Sequence, residues 1–145
     1  MKPLDVHYVL NIDLKCFETQ YDMESWEIIF SENIPVIVAV IDETPIGYMS
    51  MYSTQGILWI GRIGVLPAFR RRGIGTKLLD FGLSQALDET EARVTIPEYQ
   101  CRPNEPDDAS QWLLNRGFRC QQERPDVFTA YGRMYDGYQF AKEIL

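Results

Sequence analysis

Val65-Leu66-Pro67-Ala68-Phe69-Arg70-Arg71-Arg72-Gly73-Ile74-Gly75-Thr76 is the stretch on which the reading of this chain turns. It joins a strand-like run, Ile57 to Val65, to a helical one, Gly73 to about Leu87, where Leu78, Leu79, Phe81, Leu83 and Leu87 recur near helical spacing. A phosphate-binding turn needs backbone N–H groups that converge on one point and no side chain in the way. Gly73 and Gly75 supply that clearance, and the helix starting directly after them points its unpaired N–H groups and positive dipole end at the same place. Arg70, Arg71 and Arg72 add cationic partners and Thr76 adds a hydroxyl. The spacing predicts an anion site made by backbone geometry and local positive charge.

Two better-known glycine-rich loops do not fit. The ATP-type loop requires Gly-x-x-x-x-Gly-Lys-Ser/Thr, whereas Gly75 is followed by Thr76-Lys77 with no glycine at the earlier position. The dinucleotide fingerprint requires a third glycine where Leu78 stands.

Outward from this turn, the pattern alternates in an orderly way. Upstream, Asp5 caps a predicted helix running to about Phe17, and Asp22 caps a second over Met23 to Ser31. Val36 to Ile41 is short and β-branched, Asp42 to Pro45 is a turn, and Ile46 to Tyr52 returns, so with Ile57 to Val65 a meander of antiparallel strands is expected. Downstream, a strand over Ala92 to Tyr99 completes a crossover unit with the Gly73 helix. A helix over Ala109 to Arg116, stopped by Gly117, and two terminal strands, Phe118 to Gln122 and Tyr131 to Gln139, around a loop containing Pro125 finish the chain. Residues 1–145 read as one domain.

Composition narrows the function classes. The formal net charge of −7 disfavours nonspecific binding to nucleic acid or anionic membrane and suits a cationic acceptor, or serves solubility alone. Cys16, Cys101 and Cys120 are widely spaced without a Cys-x-x-Cys pair, which predicts reduced thiols and no zinc site. His7 is the single histidine, so a histidine triad or metal cluster is hard to build and no metal is expected. With neither a membrane-length apolar run nor a signal-peptide pattern, a cytoplasmic protein is expected.

Arg-x-x-Gly-x-Gly at Arg70, Gly73 and Gly75, preceded by Val65-x-Pro67 and followed by Leu78-Leu79, resembles the GCN5-related N-acetyltransferase (GNAT) superfamily. The pattern is nearest to its ribosomal-protein alanine N-acetyltransferase branch, and it extends to Gly117-Phe118 at the end of the later helix. The family's usual opening strand has too few residues before Asp5. The resemblance implies an α/β fold: a mixed, mostly antiparallel twisted sheet of six to seven strands with about four helices, splayed in a V between the family's fourth and fifth strands. It also implies transfer of an acetyl group from acetyl-CoA to a primary amine by direct attack, the acceptor being a peptide or protein α-amine or a small amine, by a monomer or homodimer.

By the same resemblance, Ile63, Gly64 and Val65 line the pantetheine arm, and the Val65 N–H faces the thioester carbonyl as an oxyanion contact. The N–H groups of Arg71, Arg72, Gly73, Ile74, Gly75 and Thr76 hold the pyrophosphate, with Arg70 beside them. Glu98, expected on the fifth strand, is the base that deprotonates the amine, since the fourth-strand position used by other branches is Arg62. Leu113 occupies the position of the family's usual proton-donating tyrosine, leaving water or one of Tyr99, Tyr131, Tyr135 and Tyr138. That substitution also fits a catalytically degenerate CoA-binding module acting as sensor or partner-binding subunit, and the arginine cluster alone fits a nucleic-acid contact. The segments Phe17 to Glu32 and Glu123 to Tyr131 are expected to face the acceptor.

Overall fold

The computed structural model describes residues 5–16, 36–102, 105, 108–130 and 133–144. The predicted helix over Met23 to Ser31 lies outside them, as does Phe17. In chain order the elements are α1 (Asp5–Cys16), β1 (Val36–Ile41), β2 (Thr44–Thr54), β3 (Ile57–Val65), a 3-10 turn (Pro67–Phe69), α2 (Ile74–Ser84) and β4 (Glu91–Pro97). A second 3-10 turn (Glu98–Gln100), α3 (Ala109–Asn115), β5 (Arg119–Ala130) and β6 (Arg133–Glu143) follow. The six strands make a mixed, mostly antiparallel sheet in the order β1-β2-β3-β4-β6-β5, with α2 as the crossover from β3 to β4.

The described residues fall into two compact units, one drawn from Met1–Tyr52 and Ile60–Leu87, the other from Ser53–Trp59 and Asp88–Leu145. In the first, strand alternation sorts the helices onto opposite faces of the β1/β2 pair. Val36 and Val38 join Val9, Ile12 and Tyr48 in a cluster under α1, while Ile37 and its partner Met49 meet α2. Each fully buried aliphatic side chain there stabilises the fold by about 1.5–3 kcal/mol. The close approach of α2 depends on Gly82, where an added Cβ would come within 2.0 Å of Met49 Cε. That contact corrects the expected helix face. Leu78, Leu79 and Gly82 are buried, whereas α2 ends at Ser84 and Leu87 is 90% exposed.

The β1–β2 connection is a two-residue turn at Asp42 and Glu43, both at positive φ, which matches the twist of the flanking strands and draws Thr44 and Pro45 into β2. In the second unit β4, β6 and β5 pair antiparallel, with Ala92, Val94, Ile96 and Phe140 buried. Lys142 of β6 donates to the Arg116 carbonyl (2.8 Å) just past the end of α3.

Two expectations about this unit need correction. Glu98 is not on a strand: β4 stops at Pro97, which offers no N–H to continue a ladder, and Glu98 opens the 3-10 turn that follows. The segment around Pro125 is not a loop between strands. β5 runs through it with register shifts between Cys120 and Gln122 and between Arg124 and Phe128, and Asp126, at φ 52°, donates its N–H to Asp136 Oδ1 (3.0 Å). An edge strand absorbs a proline at such a bulge, because the extra residue is unpaired in any case.

Candidate functional site

The cradle belongs to the first unit. β3 ends at Val65, Leu66 N–H donates to the Ile46 carbonyl of β2 (2.8 Å), and Pro67, with its fixed φ, starts the short 3-10 turn. Two left-handed residues then redirect the chain: Arg71 at φ 65° and Gly73 at φ 77°. Such reversals curl successive N–H groups onto a concave side, which suits an anion. Gly73 is the N-cap of α2 and carries no side chain, so no cap hydrogen bond satisfies the first turn, and that turn holds no acidic residue. Lys77 N–H donates to the Gly73 carbonyl (3.0 Å), which leaves the N–H groups of Ile74 and Gly75 ahead of that bond at the helix start. An added Cβ at Gly73 would meet nothing within 4 Å, so the space beside the turn is open.

The arginines divide. Arg70, Arg71 and Arg72 are all exposed, but Arg70 Nε donates to the Val65 carbonyl (2.9 Å), while the Arg72 guanidinium lies 5.4 Å from the centre of the Phe69 ring. Arg70 thus ties the cradle to the end of β3. Gly64 is buried, and Ile63 and Val65 are half-buried. Gly47 of β2 closes on them: a Cβ there would approach Gly64 O to 3.0 Å and Val65 Cγ2 to 3.3 Å, so a larger residue at 47 would have to push this strand pair apart by a few tenths of an ångström.

Two residues that sequence reasoning passed over also bear on this region. Asp13, fully buried, receives the Tyr48 hydroxyl (2.7 Å) and Arg62 Nη1 (2.6 Å). Arg62 also donates its backbone N–H to Ser50 Oγ (3.0 Å), and its ion pair with Asp13 commits its side chain to the packing of α1. One turn beyond Asp13, Cys16 Sγ donates to the Val65 carbonyl (3.2 Å). Burial pushes the Cys16 thiol above its ordinary range, against the lowering pull of Arg70, and keeps it a protonated donor at neutral pH. The signal for Asp13 was a charge on the apolar stripe of Val9, Ile12 and Cys16.

Glu98 belongs to the second unit and is half-buried. Near it on β6, Tyr138 pairs with Ile96 of β4 and Glu123 of β5. The Glu123 charge, then burial and the Glu98 charge, raise the Tyr138 phenol above its usual range. Tyr135, also considered as a proton donor, is buried with the Arg133 guanidinium 4.3 Å from its ring centre. Tyr131 lies outside the described residues. Leu113 is 2% exposed, a core residue of α3. Among the described residues no group of three or more His, Cys, Asp or Glu is placed to hold a metal, and no helix is long and apolar enough to cross a membrane.

A model of the acetyltransferase (GNAT) family matches residues 6–118. An uncharacterized N-acetyltransferase of Schizosaccharomyces pombe is 39% identical over 56 residues, which is 39% of this chain and 35% of that protein; the chain thus spans about a third of this relative's length. Solved structures of similar fold include the ribosomal-protein-S18-alanine N-acetyltransferase of Escherichia coli, with a TM-score of 0.81 at 13% identity over 99% of this chain and 90% of that one. Arabidopsis thaliana Naa50, in complex with the bisubstrate analogue CoA-Ac-MVNAL, gives a TM-score of 0.78 at 16% identity over 98% and 94% of the two chains. At these identities the structures speak for the fold.

Proposed function

Because the chain belongs to the acetyltransferase (GNAT) family, we propose that it is an N-acetyltransferase domain that moves the acetyl group of acetyl-CoA to a primary amine by direct attack. The observation that carries this reading is the uncapped start of α2: Gly73 in the left-handed region, no acidic residue in the first turn, and open space beside it. There the N–H groups of Arg71 to Thr76 take the pyrophosphate, with Arg71 and Arg72 neutralising its charge. Ile63, Gly64 and Val65 hold the pantetheine arm, and the Val65 N–H stabilises the oxyanion as the amine attacks the thioester.

Glu98 accepts the proton that the ammonium must lose before it attacks, and the departing thiolate takes a proton from water. The acceptor is a peptide or protein α-amine in preference to a small amine, a reading supported by two proteins of similar fold, one a ribosomal-protein-S18-alanine N-acetyltransferase and the other bound to CoA-Ac-MVNAL, and by the acidity of the chain. The protein works in the cytoplasm, as a monomer or homodimer.

Thiol release from acetyl-CoA across a panel of peptides and small amines tests the proposal. Turnover with at least one amine is expected, and Glu98→Gln lowers kcat by about 10²-fold or more at neutral pH while acetyl-CoA affinity stays within about twofold. Full activity of Glu98→Gln across the pH range would remove Glu98 from the mechanism. The buried Leu113 in place of a tyrosine favours one other reading, a CoA-binding module without catalysis. It predicts CoA binding with no thiol release from any amine.

A further inference from the structure

The Val65 carbonyl receives two donors from two different places: Arg70 Nε at 2.9 Å from the turn after β3, and Cys16 Sγ at 3.2 Å from the last residue of α1. The N–H of the same peptide unit, on Leu66, is held by the Ile46 carbonyl of β2 at 2.8 Å. One peptide plane is therefore fixed through both its polar ends. This matters because Gly64, the residue before Val65, brings the widest backbone freedom to the place where an N–H must point in one direction. Gly47 lies close on that side, where an added Cβ would come within 3.0 Å of the Gly64 carbonyl oxygen.

We propose that Cys16 and Arg70 are positioning residues for acyl transfer, which clamp the Val65 carbonyl and thereby set the direction in which the Val65 N–H meets the thioester oxygen. The inference rests on the acetyl-transfer reading above, in which Val65 is the oxyanion donor. Neither side chain need touch the reacting atoms, since each acts through the Val65 backbone. The helix end that brings Cys16 is itself anchored: Asp13, one turn earlier, binds Arg62, three residues before Val65 on β3. The last turn of α1 is thus stitched to β3 at two points, one ionic and one through the thiol. The thiol is held in its protonated, donating form by burial.

An S–H donor is weak, and a misdirected oxyanion contact costs rate rather than binding, so the expected signature is small but specific. Cys16→Ala is expected to lower kcat about two- to fivefold, with the KM for acetyl-CoA and the affinity for CoA within about twofold of the parent. Cys16→Ser, which restores a hydroxyl donor, recovers most of that loss. In an Arg70→Met background Cys16→Ala costs more than in the parent, because the carbonyl then loses both donors. Unchanged kcat in Cys16→Ala, or a loss confined to KM and CoA affinity, overturns the proposal. The clamp is also read without turnover, from amide hydrogen exchange: Cys16→Ala is expected to accelerate exchange at Leu66, and unaltered exchange contradicts it. If the parent releases no thiol with any amine while that acceleration is seen, the transfer reading fails and the clamp stands.

Discussion

Arg62, expected from the resemblance at the position of a catalytic glutamate in other branches, is committed by the structure to Asp13. A fully buried carboxylate stripped of its guanidinium keeps its desolvation cost and loses its counter-charge. Arg62→Met is therefore expected to lower stability by about 3–5 kcal/mol, read as a drop in the urea midpoint. A loss below about 1 kcal/mol would show that the pair is not a fixed part of the fold. Nothing in the pattern announced this pairing, since Asp13 lies 49 residues from Arg62 and 35 from Tyr48 and no short motif spans such distances. The glycine turn was legible for the opposite reason. Gly73 is needed for a backbone conformation set within a few residues, and the structure gives it the left-handed φ that such a turn demands. Arg70 was read as a phosphate partner, and its bond to the Val65 carbonyl adds a link that spacing alone does not encode.

At the level of elements, α3 illustrates what a cap does. Asp108 Oδ1 accepts from Ser110 N (3.1 Å), Ser110 Oγ (2.6 Å) and Arg102 N (3.0 Å), so one carboxylate both starts the helix and closes the loop before it. Asp108→Ala is expected to cost about 1 kcal/mol and to lower the melting midpoint by about 2–4 °C. An unchanged midpoint would mean that water replaces the cap. The existence and order of α1, α2, α3 and the strands followed from periodicity, whereas their ends did not. β4 stops at Pro97 because the ladder lacks an N–H there, and this moves Glu98 into a turn. β5 continues past Pro125 because a bulge and the Asp136 carboxylate satisfy the displaced backbone, a tertiary contact invisible to a local pattern. Leu87 fits the helical stripe by spacing, but α2 has ended before it.

For the molecule as a whole, the thiols and phenols set a limit at high pH. Burial, and then the Asp108 charge, push the Cys101 thiol up to about 11 from 9.0, and Tyr138 is raised as well. A group whose folded value is raised contributes stability that is complete below its unfolded value and is lost as pH climbs toward the folded one. The urea midpoint is thus expected to fall as pH rises from about 9 through about 11, and to fall less in Cys101→Ala; an equal fall in both would remove Cys101 as a cause. Charge is also distributed unevenly, with three consecutive arginines at the cradle of a chain whose net charge is −7. This cradle is proposed to bind the phosphates of an acyl-CoA, and Gly75→Glu separates phosphate binding from folding. A glutamate in the first turn of α2 suits the helix dipole and keeps the fold, while its charge repels phosphate. Melting curves of the parent and of Gly75→Glu, each with and without saturating acetyl-CoA, decide between them. A raised midpoint with ligand is expected in the parent and none in Gly75→Glu, whose unliganded midpoint is not lowered; a parent midpoint unmoved by acetyl-CoA, or the same rise in both proteins, would contradict phosphate binding at the cradle.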